Sequence, residues 1–382
     1  MRTTLFKAAL TAGLFGVVTA AEAQQQTQGG VRTTGEFTQT FELRDNQNLN
    51  GSGLRFRSLT GFNFGLSSET QTSSISATSG ISLRLGQGGF ALARPKLNIG
   101  FGTDTKRASY SGNLSFAKAP TAVNEEQPDL SILRIDTDRT VIAGNLGMTT
   151  KLNPTTNLSF GVNARRISYN PSSASLVPST DIGLTGKLTY RLNSRTSYGV
   201  NGGLGYFEAN GSTNTTSFSA DLAGQLNHDL NSTTSFDGNF GFSFIETDDT
   251  VGTATTSAFS VSLLYGAGLT QTLPDGSIGL SLNQTVNPSA SGSLALGTRL
   301  SGSFQKDVNR NVSYSLGASL GRQEDIGGGT VTTFINLSPS YSRQLTRDVA
   351  ATASYFVQRD DAGTTAHGLT VSFSRPFDLS VR

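Results

Sequence analysis

The stretch TSFDGNFGFSFIE, residues 234–246, places phenylalanine at every second position from Phe240 to Phe244 and again at Phe236, with Gly238 between them. The opposite positions are mostly hydrophilic: Ser235, Asp237, Asn239 and Ser243. Side chains of an extended chain alternate between two faces. The stretch therefore predicts a β-strand with one aromatic face and one hydrophilic face.

The same alternation recurs along most of the chain, for example in SFSADLAGQLN (217–227) and NVSYSLGASL (311–320). Counting from the C-terminus predicts eighteen strands, or sixteen if the first pair lies outside the wall. Pro95 and Pro339 fall inside predicted strands, where each removes a backbone donor, so we expect a bulge or a break at both. The predicted strands are 33–45, 54–67, 73–86, 90–102, 108–118, 138–151, 156–168, 181–192, 196–209, 215–228, 234–246, 257–272, 277–286, 292–306, 311–322, 331–345, 349–359 and 365–378.

Two kinds of connection alternate between these strands. Short turns rich in Asn, Asp, Gly and Pro, such as RLNSRTSYG from Arg191, alternate with longer and more variable loops such as NPSSASLVPST. A soluble β-sandwich would also have alternating strands, but it has no reason to keep charges away from the middle of its apolar face. Here the charges on the apolar register all fall near strand ends: Arg166, Glu208, Glu246, Arg343 and Arg375. The pattern favours an all-β fold, an antiparallel up-and-down transmembrane barrel of 16–18 strands with a lipid-facing exterior and a wet interior.

Composition and the N-terminus agree with an exported protein. Charged residues make up 15% of the chain, there are 44 glycines and no cysteine, and the net charge is +2. No disulfide or thiolate metal site can form, and no basic cluster suggests a nucleic-acid partner. Residues 1–23 have the charged, apolar and A-x-A regions of a signal peptide. We therefore predict a signal peptide at 1–23, a short periplasmic segment at 24–32 and a barrel at 33–382.

With these features the chain resembles bacterial outer-membrane β-barrel proteins, and porins in particular. FELRDNQNL, residues 41–49, is similar to the Asp-Asn turn near the start of uncharacterised porin-like families. The last strand looks like the C-terminal signal read by barrel-assembly machinery, although Asp378 to Arg382 follow the final aromatic residue. The residues that carry this signal are Leu369, Val371, Phe373 and Phe377.

The resemblance implies a protein of the outer membrane of a Gram-negative bacterium, in contact with outer-membrane lipids and lipopolysaccharide. Porins often trimerise, so a homotrimer is the oligomer that the resemblance suggests, although no residue pattern specifies it. A barrel of this size without a plug domain encloses an aqueous channel. We therefore expect passive diffusion of small hydrophilic solutes. The alternative is a non-transporting barrel, structural or adhesive, or one that serves polysaccharide export.

Basic residues outnumber acids such as Asp221 and Asp237 on the inferred lumen register, which suggests a modest preference for anions. The candidate pore-lining residues are Arg55, Arg57, Arg84, Arg94, Lys96, Arg165, Lys187, Arg191 and Arg299. The third long connection carries Glu125, Glu126 and Asp129. In general porins the third loop bends into the pore, so this connection either constricts the channel or lies on the outer surface.

Enzymatic activity has little support in the sequence. The chain has two histidines. His228 lies beside a short turn, at the wrong end of the barrel for such a site, and His367 lies near the opposite rim, but no Ser or Asp can be paired with it from the sequence. No metal-ligand spacing or nucleotide-binding loop is present. We predict no catalytic residue, no metal and no cofactor.

Overall fold

The computed structural model describes residues 30–46, 54–86, 89–120, 137–170, 176–326, 331–361, 363 and 365–378, and these form one antiparallel sheet of eighteen strands. β1 pairs with both β2 and β18, so the sheet closes into a barrel. The all-β barrel predicted from the sequence is confirmed, with the first strand pair in the wall. The strands are β1 (Val31–Asn46), β2 (Leu54–Glu69), β3 (Ser73–Gly86), β4 (Gly89–Asp104), β5 (Ala108–Pro120), β6 (Asp138–Asn153), β7 (Thr156–Asn170), β8 (Ser179–Arg191), β9 (Thr196–Asn210), β10 (Asn214–Asp229), β11 (Thr234–Val251), β12 (Ala254–Leu273), β13 (Gly276–Pro288), β14 (Leu294–Asn309), β15 (Val312–Asp325), β16 (Val331–Gln344), β17 (Ala350–Asp360) and β18 (Thr365–Asp378).

Residues 1–29 lie outside the described residues, so the signal peptide at 1–23 and most of the periplasmic segment at 24–32 stay predictions. The first strand begins at Val31, slightly before the predicted start of the barrel. Thr34 of β1 pairs with Asp378 of β18, which places both ends of the described barrel on the same rim.

That rim, which we call the turn end, carries short connections with a repeated asparagine. In the turn 192–195 the Asn193 Oδ1 accepts hydrogen bonds from the backbone N–H groups of Arg195 and Thr196, both at 2.8 Å. Asn231 does the same for Thr233 and Thr234 in the next turn of this rim. An asparagine that bonds its own backbone in this way stabilises a tight reversal. We call the opposite rim the loop end; in outer-membrane barrels the short turns face the periplasm.

The opening stretch explains the two faces of the wall. Phe240, Phe242 and Phe244 are exposed on the outside of β11, whereas the alternate residues face the lumen. In a closed sheet the backbone polar groups pair between strands, so only apolar side chains need to face lipid. Exposed large apolar side chains on the outside of other strands, such as Leu222 and Val261, continue this surface.

Both prolines disturb the ladder as expected. Gly80 pairs with Lys96 and Ser82 pairs with Ala93, so Arg94 and Pro95 form a bulge between them. The β16–β17 ladder lacks pairs at Ser338 and Pro339 and resumes in the same register beyond them. A proline has no N–H to donate, which accounts for the interruption.

The outward orientation of Phe240 gives the first testable prediction. Phe240→Lys places a charge near the middle of the lipid-facing band, and we expect it to lower the free energy of unfolding in lipid by about 2–4 kcal/mol. The control is Asn239→Lys, the next residue of the same strand, which faces the lumen and should change the stability little. Urea titration in lipid vesicles measures both. Equal losses for the two variants would contradict the assignment of the two faces.

Candidate functional site in the lumen

One side of the inner wall, formed by β2 to β4, is rich in basic residues. On these strands Phe56, Ile81 and Leu97 are exposed on the outside. Because side chains of a strand alternate between its two faces, residues an odd number of positions away from them along a regular strand face the lumen. The inward positions include Arg57, Arg84 and Lys96. Three strands that are neighbours in the sheet therefore present cations to the same part of the lumen.

Glu42 of β1 lies beside this basic region and is 2% exposed. Its Oε1 accepts a hydrogen bond of 2.9 Å from Nη2 of Arg94, and its Oε2 lies 3.6 Å from Nε of Arg44. The guanidinium carbon of Arg44 is 5.3 Å from the centroid of the Phe356 ring, a cation–π distance. One buried carboxylate thus holds two guanidinium groups against the wall.

The bulge in β4 allows Arg94 to make this contact. Arg94 has a φ of 51°, in the left-handed region that non-glycine residues seldom adopt. Between β4 and β1 lie β2 and β3, so the Arg94 side chain extends along the inner face to reach Glu42. The strained backbone and the following Pro95 direct this side chain into the lumen.

The lumen narrows at the loop end because the top of the β13–β14 hairpin leaves the wall. We call residues 285–297 the hairpin tip. The β12–β13 ladder stops at the pair Tyr265 and Gln284, whereas β13 and β14 stay paired up to Pro288 and Leu294. The carbonyl oxygen of Ala290 in the tip accepts a 2.9 Å hydrogen bond from the backbone N–H of Val177, which precedes β8. The tip therefore reaches a segment on the far side of β9 to β12.

Apolar side chains fill the space around this contact. Ile245 and Phe207, on the lumen-facing registers of β11 and β9, are 1% and 4% exposed and belong to a buried cluster with Leu294 of the tip. The other members of this cluster are Val177 and Ala209. A second buried cluster consists of Ile167, Tyr169, Leu176 and Ala290. Removal of this apolar surface from water stabilises the inward position of the tip.

Gly292 is required where the tip meets its neighbours. It has a φ of 86°, and a Cβ atom built on it would lie 2.8 Å from Cγ1 of Val177 and 3.2 Å from Cβ of Ala209. Any larger residue would be strained in its backbone and would collide with the cluster. The glycine lets the tip approach the inner face of β9 closely.

Comparisons with known proteins show similarity in structure alone: no protein-family model and no curated protein matches the sequence. Among solved structures, Pseudomonas aeruginosa OpdO has a TM-score of 0.51 at 11% identity, covering 92% of this chain and 98% of that one. The chain has the fold of a porin-like outer-membrane barrel. Pseudomonas aeruginosa OpdQ (TM-score 0.50, 8% identity) covers 92% of this chain and 99% of its own. Acinetobacter baumannii OccAB2 (TM-score 0.50, 10% identity) covers 92% and 98%. At these identities the likeness concerns the fold.

The remaining basic residues predicted from the sequence are distributed around the lumen of this porin-like barrel. Arg165 of β7 forms an ion pair with Asp181 of β8, with Nη2 and Oδ1 2.9 Å apart. Nη2 of Arg299 on β14 donates a 3.1 Å hydrogen bond to Oγ of Ser319. Lys187 is exposed on the inward register of β8. Arg191 is exposed at the turn end of the same strand, and Arg55 is placed by its ladder position opposite Arg44.

The sequence suggested another segment, the third long connection, as the part that narrows the lumen. Glu125, Glu126 and Asp129 lie outside the described residues, so the hypothesis that their connection constricts the lumen stays a prediction. The inward tip was missed, as were Glu42 and Arg44. A signal for the tip was present, because Phe207 and Ile245 put apolar side chains on a register that is otherwise hydrophilic.

Each of the two histidines lies close to one rim of the barrel. His228 is at the turn end, where its Nδ1 is 2.9 Å from Oγ1 of Thr196. His367 is near the loop end, with Nε2 3.6 Å from Oδ2 of Asp45.

Within the described part of the chain no group of acidic, histidine or cysteine side chains could hold a metal ion. No helix among the described residues is long and apolar enough to cross a membrane.

Proposed function

We propose that this protein is a channel of the outer membrane of a Gram-negative bacterium, through which small hydrophilic solutes diffuse passively. The observation that carries the proposal is the closed barrel of eighteen strands with phenylalanine and leucine outside and polar or charged side chains inside. Barrels of this strand number enclose an aqueous bore unless it is filled. The fold shared with porin-like barrels supports the same conclusion and favours a channel over an enzyme.

Single-channel recording in a planar lipid bilayer tests the proposal. The purified protein should insert and produce discrete conductance steps in KCl solution.

The second candidate function, a structural or adhesive barrel or one that serves polysaccharide export, is favoured by one observation, the buried apolar clusters that narrow the loop end. Correctly folded protein that inserts without any conductance would favour that candidate.

We propose a modest preference for anions. Among the described residues no ion pair links Arg84, Lys96 or Lys187 to an acid, whereas Arg94 and Arg165 are matched by carboxylates. Charges that face water in the bore act on a passing ion, while charges already compensated act much less.

The reversal potential under a KCl gradient should have the sign of anion selectivity in the wild type. Replacement of Arg84, Lys96 and Lys187 together by Gln should move it toward zero, because this removes three lumen cations that no ion pair among the described residues links to an acid. Arg343→Gln, which removes an outward-facing arginine near the turn end, is the control and should leave the potential unchanged. A cation-selective wild type would refute the anion preference.

We propose that barrel-assembly machinery recognises β18 through Leu369, Val371, Phe373 and Phe377, which share its outward register. The outer surface would contact outer-membrane lipids and lipopolysaccharide, and a homotrimer is the proposed assembly. Cross-linking in intact membranes tests the oligomeric state.

A further inference from the structure

The loop-end half of β12 has a free edge. Residues 254–264 pair with β11 but have no ladder partner in β13, where pairing begins only at Tyr265. Just beyond the end of the β12–β13 ladder, a side chain makes the hydrogen bond between the two strands: Nε2 of Gln284 donates to the carbonyl oxygen of Leu263 at 2.7 Å. Since backbone groups of alternate residues point to the same side of a strand, Phe259 and Val261 direct theirs toward the missing neighbour.

Part of this edge lies at the level of the lipid. Val261 pairs with Phe244, the last phenylalanine of the outward series on β11, and Phe259 pairs with Glu246 just beyond it. Phe259 is 69% exposed. A backbone group without a partner in hydrocarbon costs several kcal/mol. The free edge therefore favours the addition of a strand.

The natural partner for this edge is present in the same chain. Residues 285–288 of β13 are paired with β14 on one side only. If the β12–β13 ladder continued in its present register, Val286 would lie opposite Leu263, and Asn287 would lie opposite Ser262. Pro288 would end the new pairing, because it has no N–H to donate.

The structure also shows what holds the tip away from this edge. The tip is retained in the lumen by the Val177–Ala290 backbone bond and by burial of Leu294 against Ile245 and Phe207. Gln284 lies at the branch point, where it bonds Leu263 on one side and accepts a 2.8 Å hydrogen bond from Thr298 Oγ1 on the other. Burial favours the lumen position, and backbone pairing favours the wall position.

We propose that the hairpin tip is a gate with two positions, one packed across the lumen and one paired with the free edge of β12, and that movement between them closes and opens the loop end. This inference rests on the proposed channel function. In the wall position the ladder is complete at the level of the lipid and the lumen is wide. In the lumen position the apolar clusters form and the lumen is narrow.

A disulfide tests the wall position directly, because the chain contains no cysteine. In that position Ser262 and Asn287 would be directly opposite each other on the inner face, with a separation that a disulfide can span. The double variant Ser262→Cys, Asn287→Cys should oxidise in the folded protein, and its conductance should then rise by about twofold or more. Reduction with dithiothreitol should restore the original value.

The matched control is Ser315→Cys with Ser340→Cys. These residues are opposite each other on β15 and β16, with hydroxyl oxygens 2.7 Å apart, and their disulfide should form without changing the conductance. If the control pair oxidises and the Ser262–Asn287 pair does not, the gate is refuted. A Ser262–Asn287 disulfide that leaves the conductance unchanged or lowers it refutes the gate equally.

A labelling experiment separates the gate from the channel function. Ile245→Cys should be covered while the tip is in the lumen and should react with a water-soluble maleimide only when the tip leaves. Asn239→Cys, exposed on the inner face of the same strand, provides the reference rate. Complete but slower labelling at position 245 supports the gate even if no conductance is observed, whereas no labelling at 245 beside full labelling at 239 overturns it.

Discussion

Replacement of residues 288–294 by an Asn-Gly turn is expected to raise the single-channel conductance several-fold. The variant joins Asn287 to Ala295, which are paired in the hairpin, through a turn suited to a two-residue connection. It removes Leu294 from the apolar cluster and Ala290 from its hydrogen bond with Val177. The tip then no longer reaches across the lumen, so the loop end widens.

The control for this variant is Ser291→Ala. Ser291 is exposed in the same tip and belongs to neither buried cluster, so the conductance should not change. Deletion of Glu125 to Asp129 provides the comparison with the hypothesis drawn from the sequence. If that deletion enlarged the conductance and the shortened tip did not, the narrowest part of the bore would be formed by the third long connection.

Glu42→Gln is expected to lower the free energy of unfolding by about 3–5 kcal/mol, the usual cost of removing one partner from a buried ion pair. Glu42 is buried, and its neighbours Arg44 and Arg94 are largely shielded from water, so the variant leaves their charges without compensation. Far-ultraviolet circular dichroism during a urea titration measures the loss in free energy of unfolding. The shift in gel mobility on heating provides a second measurement of stability.

Two further variants make this prediction specific. Asp275→Asn removes an exposed carboxylate from the Asp275–Lys306 pair at the turn end and should change the stability by less than about 1 kcal/mol. Addition of Arg94→Gln to Glu42→Gln should recover part of the loss, because a buried charge is removed together with its former partner. A double variant no more stable than Glu42→Gln would show that the loss comes from packing and not from the uncompensated charge.

Most strand positions could be predicted from the sequence, and the errors have a physical pattern. The last strand was predicted at 365–378 and is observed at Thr365–Asp378. The strand that contains the opening phenylalanines was predicted to end at Glu246, but it continues to Val251. From Thr247 to Thr250 the residues are polar on both faces, so alternation no longer marks a strand. Backbone pairing with β12 continues the ladder regardless of side chain.

The candidate residues of the lumen were predictable to a similar extent. Alternation was enough to place Arg57, Arg84 and Lys96 on the inner register, because that assignment needs only the residues next to each one. It could not reveal that Arg94 reaches Glu42, since the contact spans two intervening strands and depends on a bulge. Which basic residues of the lumen are paired with a carboxylate can therefore be seen only in the folded barrel.

By itself the sequence determined that this protein forms a membrane barrel, which residues of each strand face lipid, and where the short turns lie. These properties are local: a two-residue period sets the face of each side chain, and Asn-rich segments form tight reversals on their own. Only the tertiary structure decided where the lumen narrows and which strand edge is left unpaired. Both depend on closure of the sheet, which brings Val177, Ile245 and Leu294 together from distant parts of the chain so that burial can outweigh the backbone pairing of the tip.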